Sequence, residues 1–377
     1  MKTVLASKDR RLRVVAYTDA AGIGGAEISL GHLIASISDN IEIIVLGVSE
    51  LVVKAIASRR PQALTKILPA KGTASAIAHL TTFHQLRPDV IHCNLCTPWA
   101  CATGLTAALA LPHVRVVKVD QLPLRTTDTL TLWRTRALSL RVDAHVAVGE
   151  ASARRMEDFY ALGRGSVLSI PNCVPDIAGE PQPPQVQDGQ MVVGSVGRLD
   201  AMKAHDVLLR AIASVDGVKV VILGEGTQRQ ALLQLATELG VSDRVTLPGW
   251  VDNPRDRLSE FDVMALPSRS EGFPLVIVEA MLAARPVVAT RVGSVAEAVI
   301  DGETGILVEK DDVAGLAIAL RRLRDDPTLR IRCGQKGREI ARARFTVEHM
   351  VKSYENLWYN VVSAPQAPRI RVPRPRD

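Results

Sequence analysis

Short runs of Val, Ile, Leu and Ala recur along this chain with helix-length segments between them, and the whole series occurs twice. In the first half the runs fall at 13–17, 41–46, 89–92, 114–119, 144–148 and 167–170. In the second they fall at 191–196, 218–223, 245–247, 262–266 and 286–289. Continuous apolar runs of this length suit strands buried on both faces, the condition of a parallel sheet. Alternation of strand and helix predicts right-handed βαβ units. Hydrophobic residues make up 47% of the chain but aromatics only 3%, so the core must be aliphatic, and Ala suits the covering helices. A chain of 377 residues is long enough for two such cores. The expected fold is α/β, with two Rossmann-like domains.

Between the two series the pattern breaks. Pro175, Pro181, Pro183 and Pro184 stand among Gly, Gln and Asp with no apolar period, the composition of a linker. We therefore read 1–175 as the first domain, 176–190 as a linker and 191–346 as the second domain. A final helix is expected over 347–361. The tail 364–377 carries Pro365, Pro368, Pro373 and Pro375 with Arg369, Arg371, Arg374 and Arg376, and reads as a disordered basic end. Open α/β sheets bind ligands outside the carboxyl ends of their strands, so the chemistry is expected in a cleft between the domains.

The net charge of +6 is spread along the chain, with few aromatics near it to stack bases. Nucleic acid is not expected as a partner. The five cysteines, at 93, 96, 101, 173 and 333, are odd in number and sparse, which fits a reduced compartment. Cys93, Cys96 and Cys101 follow His92, but no second pair stands at a zinc spacing. We read them as small buried thiols and expect no metal. No signal peptide is visible, and the most apolar long segment, 99–111, is too short to span a bilayer. A cytoplasmic protein is expected. Residues 124–141 combine Leu, Trp133 and several arginines, which suits either peripheral contact at a membrane interface or an ordinary surface helix.

Several segments carry the residue types of a site. Gly197 follows a strand, with Arg198 and Lys203 beyond it. A planar fork of donors and a mobile ammonium together can neutralise a diphosphate. Glu271 lies in a loop and Glu279 eight positions on, in a helix that Pro274 can open at its first position. Between them Gly272, Phe273, Pro274 and Leu275 form the helix start, where backbone N–H groups favour anions. Gly224 and Glu225 end another strand. Gly249 and Trp250 form a third strand exit, read either as an ordinary loop or as backbone facing a base. In the first half Gly24 and Gly25 belong to a glycine turn that is not G-x-G-x-x-G, because position 27 is Glu. Nicotinamide dinucleotide binding is thus disfavoured.

Taken in order, Gly24-Gly-Ala-Glu27, Asp89-Val-Ile-His92, Ile170-Pro-Asn172, Gly197-Arg198 with Lys203, Gly224-Glu-Gly226 and Glu271 through Glu279 resemble the retaining glycosyltransferases of the family 4 type, with the two-Rossmann GT-B fold. The resemblance covers about residues 20–360. It implies a nucleotide-diphosphate sugar as donor substrate, no cofactor, and a glycan or lipid-linked acceptor. It implies that Arg198 and Lys203 hold the diphosphate, Glu271 the sugar hydroxyls and Glu279 the ribose, with Gly24 and Gly25 near the phosphates. It also implies that the final helix crosses back to the first domain. Asp120 stands where members often carry a His that touches the donor sugar; Pro175, Ala204 and Ser294 also depart from the pattern. Two other readings remain beside hexose transfer: a sugar-nucleotide epimerase, and a catalytically degenerate sugar-nucleotide-binding partner.

Overall fold

A computed structural model describes residues 11–184, 186 and 189–365. Beyond its first two residues, the basic tail lies outside the described residues. The chain divides into two compact units. One takes in the described residues through Val148, then Ser152–Ile170 and the chain from Met350; the other takes in Gly149–Ala151 and Pro171–His349.

The first unit is a seven-stranded sheet: β1 (Leu12–Thr18), β2 (Ile41–Gly47), β3 (Leu64–Ile67), β4 (Val90–Leu95), β5 (Arg115–Asp120), β6 (Ala144–Ala147) and β7 (Val167–Ser169). The order is β3-β2-β1-β4-β5-β6-β7, and every pairing is parallel. The crossovers are α1 (Gly25–Ser36), α2 (Glu50–Ala57), α3 (Thr73–Leu86), α4 (Ala102–Leu109), α5 (Thr129–Ser139) and α6 (Glu150–Phe159). All six residues of β4 are buried, as a central strand covered on both faces requires. β3 gave no sequence signal because it is an edge strand whose four residues are all exposed, so no apolar run was needed there.

The second unit repeats the plan with β8 (Met191–Val196), β9 (Val218–Leu223), β10 (Val245–Gly249), β11 (Val263–Leu266), β12 (Val287–Thr290) and β13 (Gly305–Val308), in the order β10-β9-β8-β11-β12-β13. All five pairings are parallel. Its helices are α7 (His205–Ile212), α8 (Arg229–Glu238), α9 (Leu275–Leu282), α10 (Val295–Ala298), α11 (Val313–Asp325) and α12 (Pro327–Arg344). Local chemistry sets their ends. Gly240, with φ 66°, stops α8 and lets Val241 N–H reach the Ala236 carbonyl at 2.9 Å, a Schellman closure. Asp326 caps α12 through Leu329 N–H at 2.8 Å, with Pro327 at the first turn. The sequence boundary at 175/176 shifts to 170/171, because Val174 bridges to Thr346 and is held by backbone bonds from its own N–H to Phe345 and from Val347 to its carbonyl.

The last helix, α13 (Val347–Ser363), joins the first unit from Met350 onward. Met350, Tyr354 and Trp358 are buried there, with the Tyr354 and Trp358 rings 5.1 and 5.6 Å from the His92 ring of β4.

Candidate active site

Three strand ends of the second sheet meet as bare backbone. β8, β9 and β10 are neighbours, and their exits carry Gly197, Gly224 and Gly249. Gly197 N–H donates to the Leu223 carbonyl at 3.0 Å, and Gly224 N–H to the Gly249 carbonyl at 2.9 Å. Gly224 has φ 146°, and a Cβ there would stand 2.0 Å from the Gly197 carbonyl oxygen, so only glycine closes this join. The result is a backbone ledge, half-exposed at Gly197 and Gly224 and buried at Gly249, with the side chains of Lys203 and Glu225 alongside it. Glu225 is exposed beside it and pairs with Arg229 at 3.2 Å. Trp250 is 60% exposed, its indole N–H on Asp252 at 3.0 Å.

The cations come from the loop after β8. Arg198 is exposed, its Nε 3.0 Å from Asp200. The stem of Lys203 lies along Gly197, where an added Cβ would be 3.3 Å from its Cδ and Cε. Its ammonium reaches Glu271 Oε1 at 2.6 Å, with side-chain exposures of only 18% and 9%. Glu271 belongs to the loop after β11. The strand order reverses between β8 and β11, so this pair spans the switch point where doubly wound sheets take their ligands. The turn after β12 braces the same loop. Gly293 has φ 54°, and a Cβ there would be 1.9 Å from the Glu271 carbonyl oxygen; Ser294 N–H donates to the Gly272 carbonyl at 2.9 Å.

Phe273 divides its roles. Its ring is buried against Phe345 at 5.1 Å and its carbonyl accepts from Asn172 Nδ2 at 3.2 Å, so its side chain belongs to the core. Pro274 is the N-cap of α9, in extended conformation with ψ 123°, rather than the first helical residue expected; the helix proper starts at the buried Leu275. Seven of the eight residues of α9 are buried and Glu279 alone is half-buried. Its charge is felt by Arg255, which burial lowers and Glu279 raises more than any other nearby group. Arg255 donates to the Pro175 carbonyl, and no motif marked it.

In the first unit Gly24 is the N-cap of α1, and Glu27 closes a local loop by accepting Gly24 N–H at 2.9 Å. This explains the Glu at position 27: it caps its own helix. Its other oxygen accepts from Cys96 Sγ at 3.1 Å; burial, then Glu27, push that thiol well up. A Cβ on Gly25 would meet nothing within 4 Å, so packing does not demand a glycine there. Cys93 and Cys101 are fully buried in the first unit's core. Asp120 is the last residue of β5, but its carboxylate is turned inward. Oδ2 accepts from Lys118 Nζ and lies against His145 Nε2, with Lys118 Nζ 3.3 Å from that same nitrogen. All three side chains are buried, and Asp120 Oδ1 has no hydrogen-bond partner. Burial alone would raise the Asp120 carboxyl, but Lys118 and then His145 outweigh it and hold it below its ordinary range.

Residues 176–340 match the family model of glycosyl transferases group 1. That region contains both members of the Lys203–Glu271 pair and the glycine ledge. The lipopolysaccharide core biosynthesis glycosyltransferase LpsE of Rhizobium meliloti is 37% identical over 166 residues, 44% of this chain and 49% of that protein. A D-inositol 3-phosphate glycosyltransferase of Mycolicibacterium smegmatis is 38% identical over 197 residues, 49% of this chain and 43% of that protein. The chain thus spans about half the length of the curated relatives it matches. Over the whole fold, HepE of Anabaena in complex with UDP superposes with a TM-score of 0.82 at 21% identity, covering 93% of this chain and 100% of that one. The fold is GT-B, two Rossmann-like sheets in one chain.

Proposed function

We propose that this protein transfers a hexose from a nucleoside-diphosphate sugar to an acceptor hydroxyl, with the anomeric configuration retained. The observation that carries the proposal is the Lys203–Glu271 pair at the switch point beside the glycine strand exits. Uridine diphosphate is the first nucleotide to test, because HepE is described in complex with UDP and with UDP-glucose.

In this reading Arg198 and Lys203 hold the diphosphate, and Glu271 exchanges its ammonium partner for sugar hydroxyls. The Gly272 and Phe273 N–H groups add donors, and Glu279 takes the ribose. The bond between the anomeric carbon and the leaving phosphate oxygen breaks, a bond from that carbon to the acceptor oxygen forms, and the acceptor proton passes to the leaving phosphate. Negative charge gathers on the phosphate as the bond breaks, and two fixed cations stabilise it there. No metal or cofactor enters this scheme. The acceptor is a glycan or a lipid-linked precursor.

The test is a panel of nucleotide sugars screened by thermal shift and then by product formation. One donor should raise the melting temperature by mass action, and NMR of the product should show the donor's anomeric configuration. Arg198→Ala should lower kcat/KM by about a hundredfold or more; near-normal turnover would sink the assignment. The inward-turned Asp120 favours a second reading, a protein that binds the donor without transferring it. Donor binding with no turnover on any acceptor would select it.

The exposed face of α5 supports contact with an anionic lipid surface. Leu130, Trp133, Arg134 and Ala137 are exposed at helical spacing, with exposed Arg141 in the turn just past the helix, and the buried residues of that helix are Thr135 and Ser139. An aromatic and aliphatic pair with flanking arginines is the pattern of an interfacial helix. Among the described residues no helix is long and apolar enough to cross a membrane.

A further inference from the structure

One carboxylate, to which the motif gave no role, meets both residues that supply the donor site's cations: the side chain of Arg198 and the backbone of Lys203. Asp200 Oδ2 accepts from Arg198 Nε at 3.0 Å. Its Oδ1 accepts from the backbone N–H groups of Met202 and Lys203 at 3.0 and 3.1 Å. The Lys203 N–H also lies 3.2 Å from the Asp200 carbonyl, so the turn that carries Lys203 is built around this residue. The turn is anchored on both sides. Leu199 is fully buried and its N–H donates to Glu225 at 2.9 Å. Ala204 closes it at φ 52°, a left-handed conformation in a residue that is not glycine, which persists only where surroundings over-determine it.

The contact with Arg198 is selective. It uses Nε alone, and the terminal Nη groups carry no protein hydrogen bond among the described residues. A carboxylate on Nε fixes the plane of the guanidinium and leaves the two-pronged end free for an anion. On charge alone a carboxylate beside two phosphate-binding cations weakens anion binding, so its place there needs a geometric reason. We infer that Asp200 is a positioning residue for the diphosphate: one oxygen aims Arg198, and the other shapes the turn that presents Lys203.

This inference rests on the donor-site reading above. The experiment is a double-mutant cycle on the full chain, with nucleoside diphosphates (UDP, GDP, ADP) titrated by calorimetry into wild type, Asp200→Ala, Arg198→Ala and the double variant. Asp200→Ala should raise Kd about tenfold in wild type but less than about threefold in the Arg198→Ala background, because most of its effect passes through Arg198. Asp200→Asn keeps an oxygen for the Met202 and Lys203 N–H groups but loses the charge. It should fall between, with an unchanged melting temperature. A residue that merely holds the loop together would give equal losses in both backgrounds, and that additivity overturns the inference. So does tighter binding by Asp200→Asn, which would make the carboxylate a simple electrostatic competitor. If wild type binds none of the three diphosphates, the nucleotide reading itself falls and takes this inference with it. Binding with additive variants removes the inference alone.

Discussion

Acidification should destabilise the first unit, and His92 supplies the magnitude. Its ring lies on β4, nearly fully buried under Tyr354 and Trp358 of α13, and Nδ1 has no hydrogen-bond partner. Burial pushes its pKa down from 6.5 to about 3, since an imidazolium there would be desolvated without compensation. The unfolded chain therefore binds the proton more tightly than the folded one. The stability tied to neutral His92 is complete above pH 6.5 and is lost as pH falls toward the folded value. Between pH 7 and 4.5 the loss is about 2.5 kcal/mol for this one group. His92→Leu removes the titration and an unpaired buried nitrogen together, so at pH 7 it should be close to neutral. Urea unfolding of both proteins at pH 7, 5.5 and 4.5 isolates the term. The wild type should lose about 2.5 kcal/mol more than the variant over that range. His145 and His205 are also lowered by burial, but they cancel in the difference. Parallel pH profiles for wild type and His92→Leu would refute the reasoning.

Lys203→Ala should cost about 3–5 kcal/mol of stability, because it strands the Glu271 carboxylate with little access to water. Adding Glu271→Gln should recover part of that loss; additive single effects in chemical denaturation would show that the pair is not coupled. For the lipid-facing helix, flotation on anionic vesicles at low salt should carry wild type upward, and Trp133→Ser with Leu130→Ser should reduce it several-fold. Equal flotation of both proteins would remove that face from consideration.

Much of the second unit could be read from residue order alone. Apolar runs located β11 and β12, whose residues are all buried, and β8 and β9, which are buried over most of their length. Gly224 was legible because a Cβ there would collide with the Gly197 carbonyl of the neighbouring strand exit, and Gly249 because its φ of 96° favours glycine. Strands that escape this pressure were silent: β3 is exposed, and β13 follows a turn sequence that masks it. Asp120 shows the opposite limit. Its place in the family pattern pointed to the donor sugar, but direction is set by neighbours, and Lys118 and His145 hold its carboxylate in the core.

The sequence by itself determined two aliphatic α/β units, the strand ends where backbone lies bare, and the residue types gathered there, because periodicity and backbone geometry are written locally. Only the tertiary structure decided which of those residues meet. Lys203 and Glu271 stand 68 positions apart, yet lie 2.6 Å from each other, since parallel pairing places β8 beside β11.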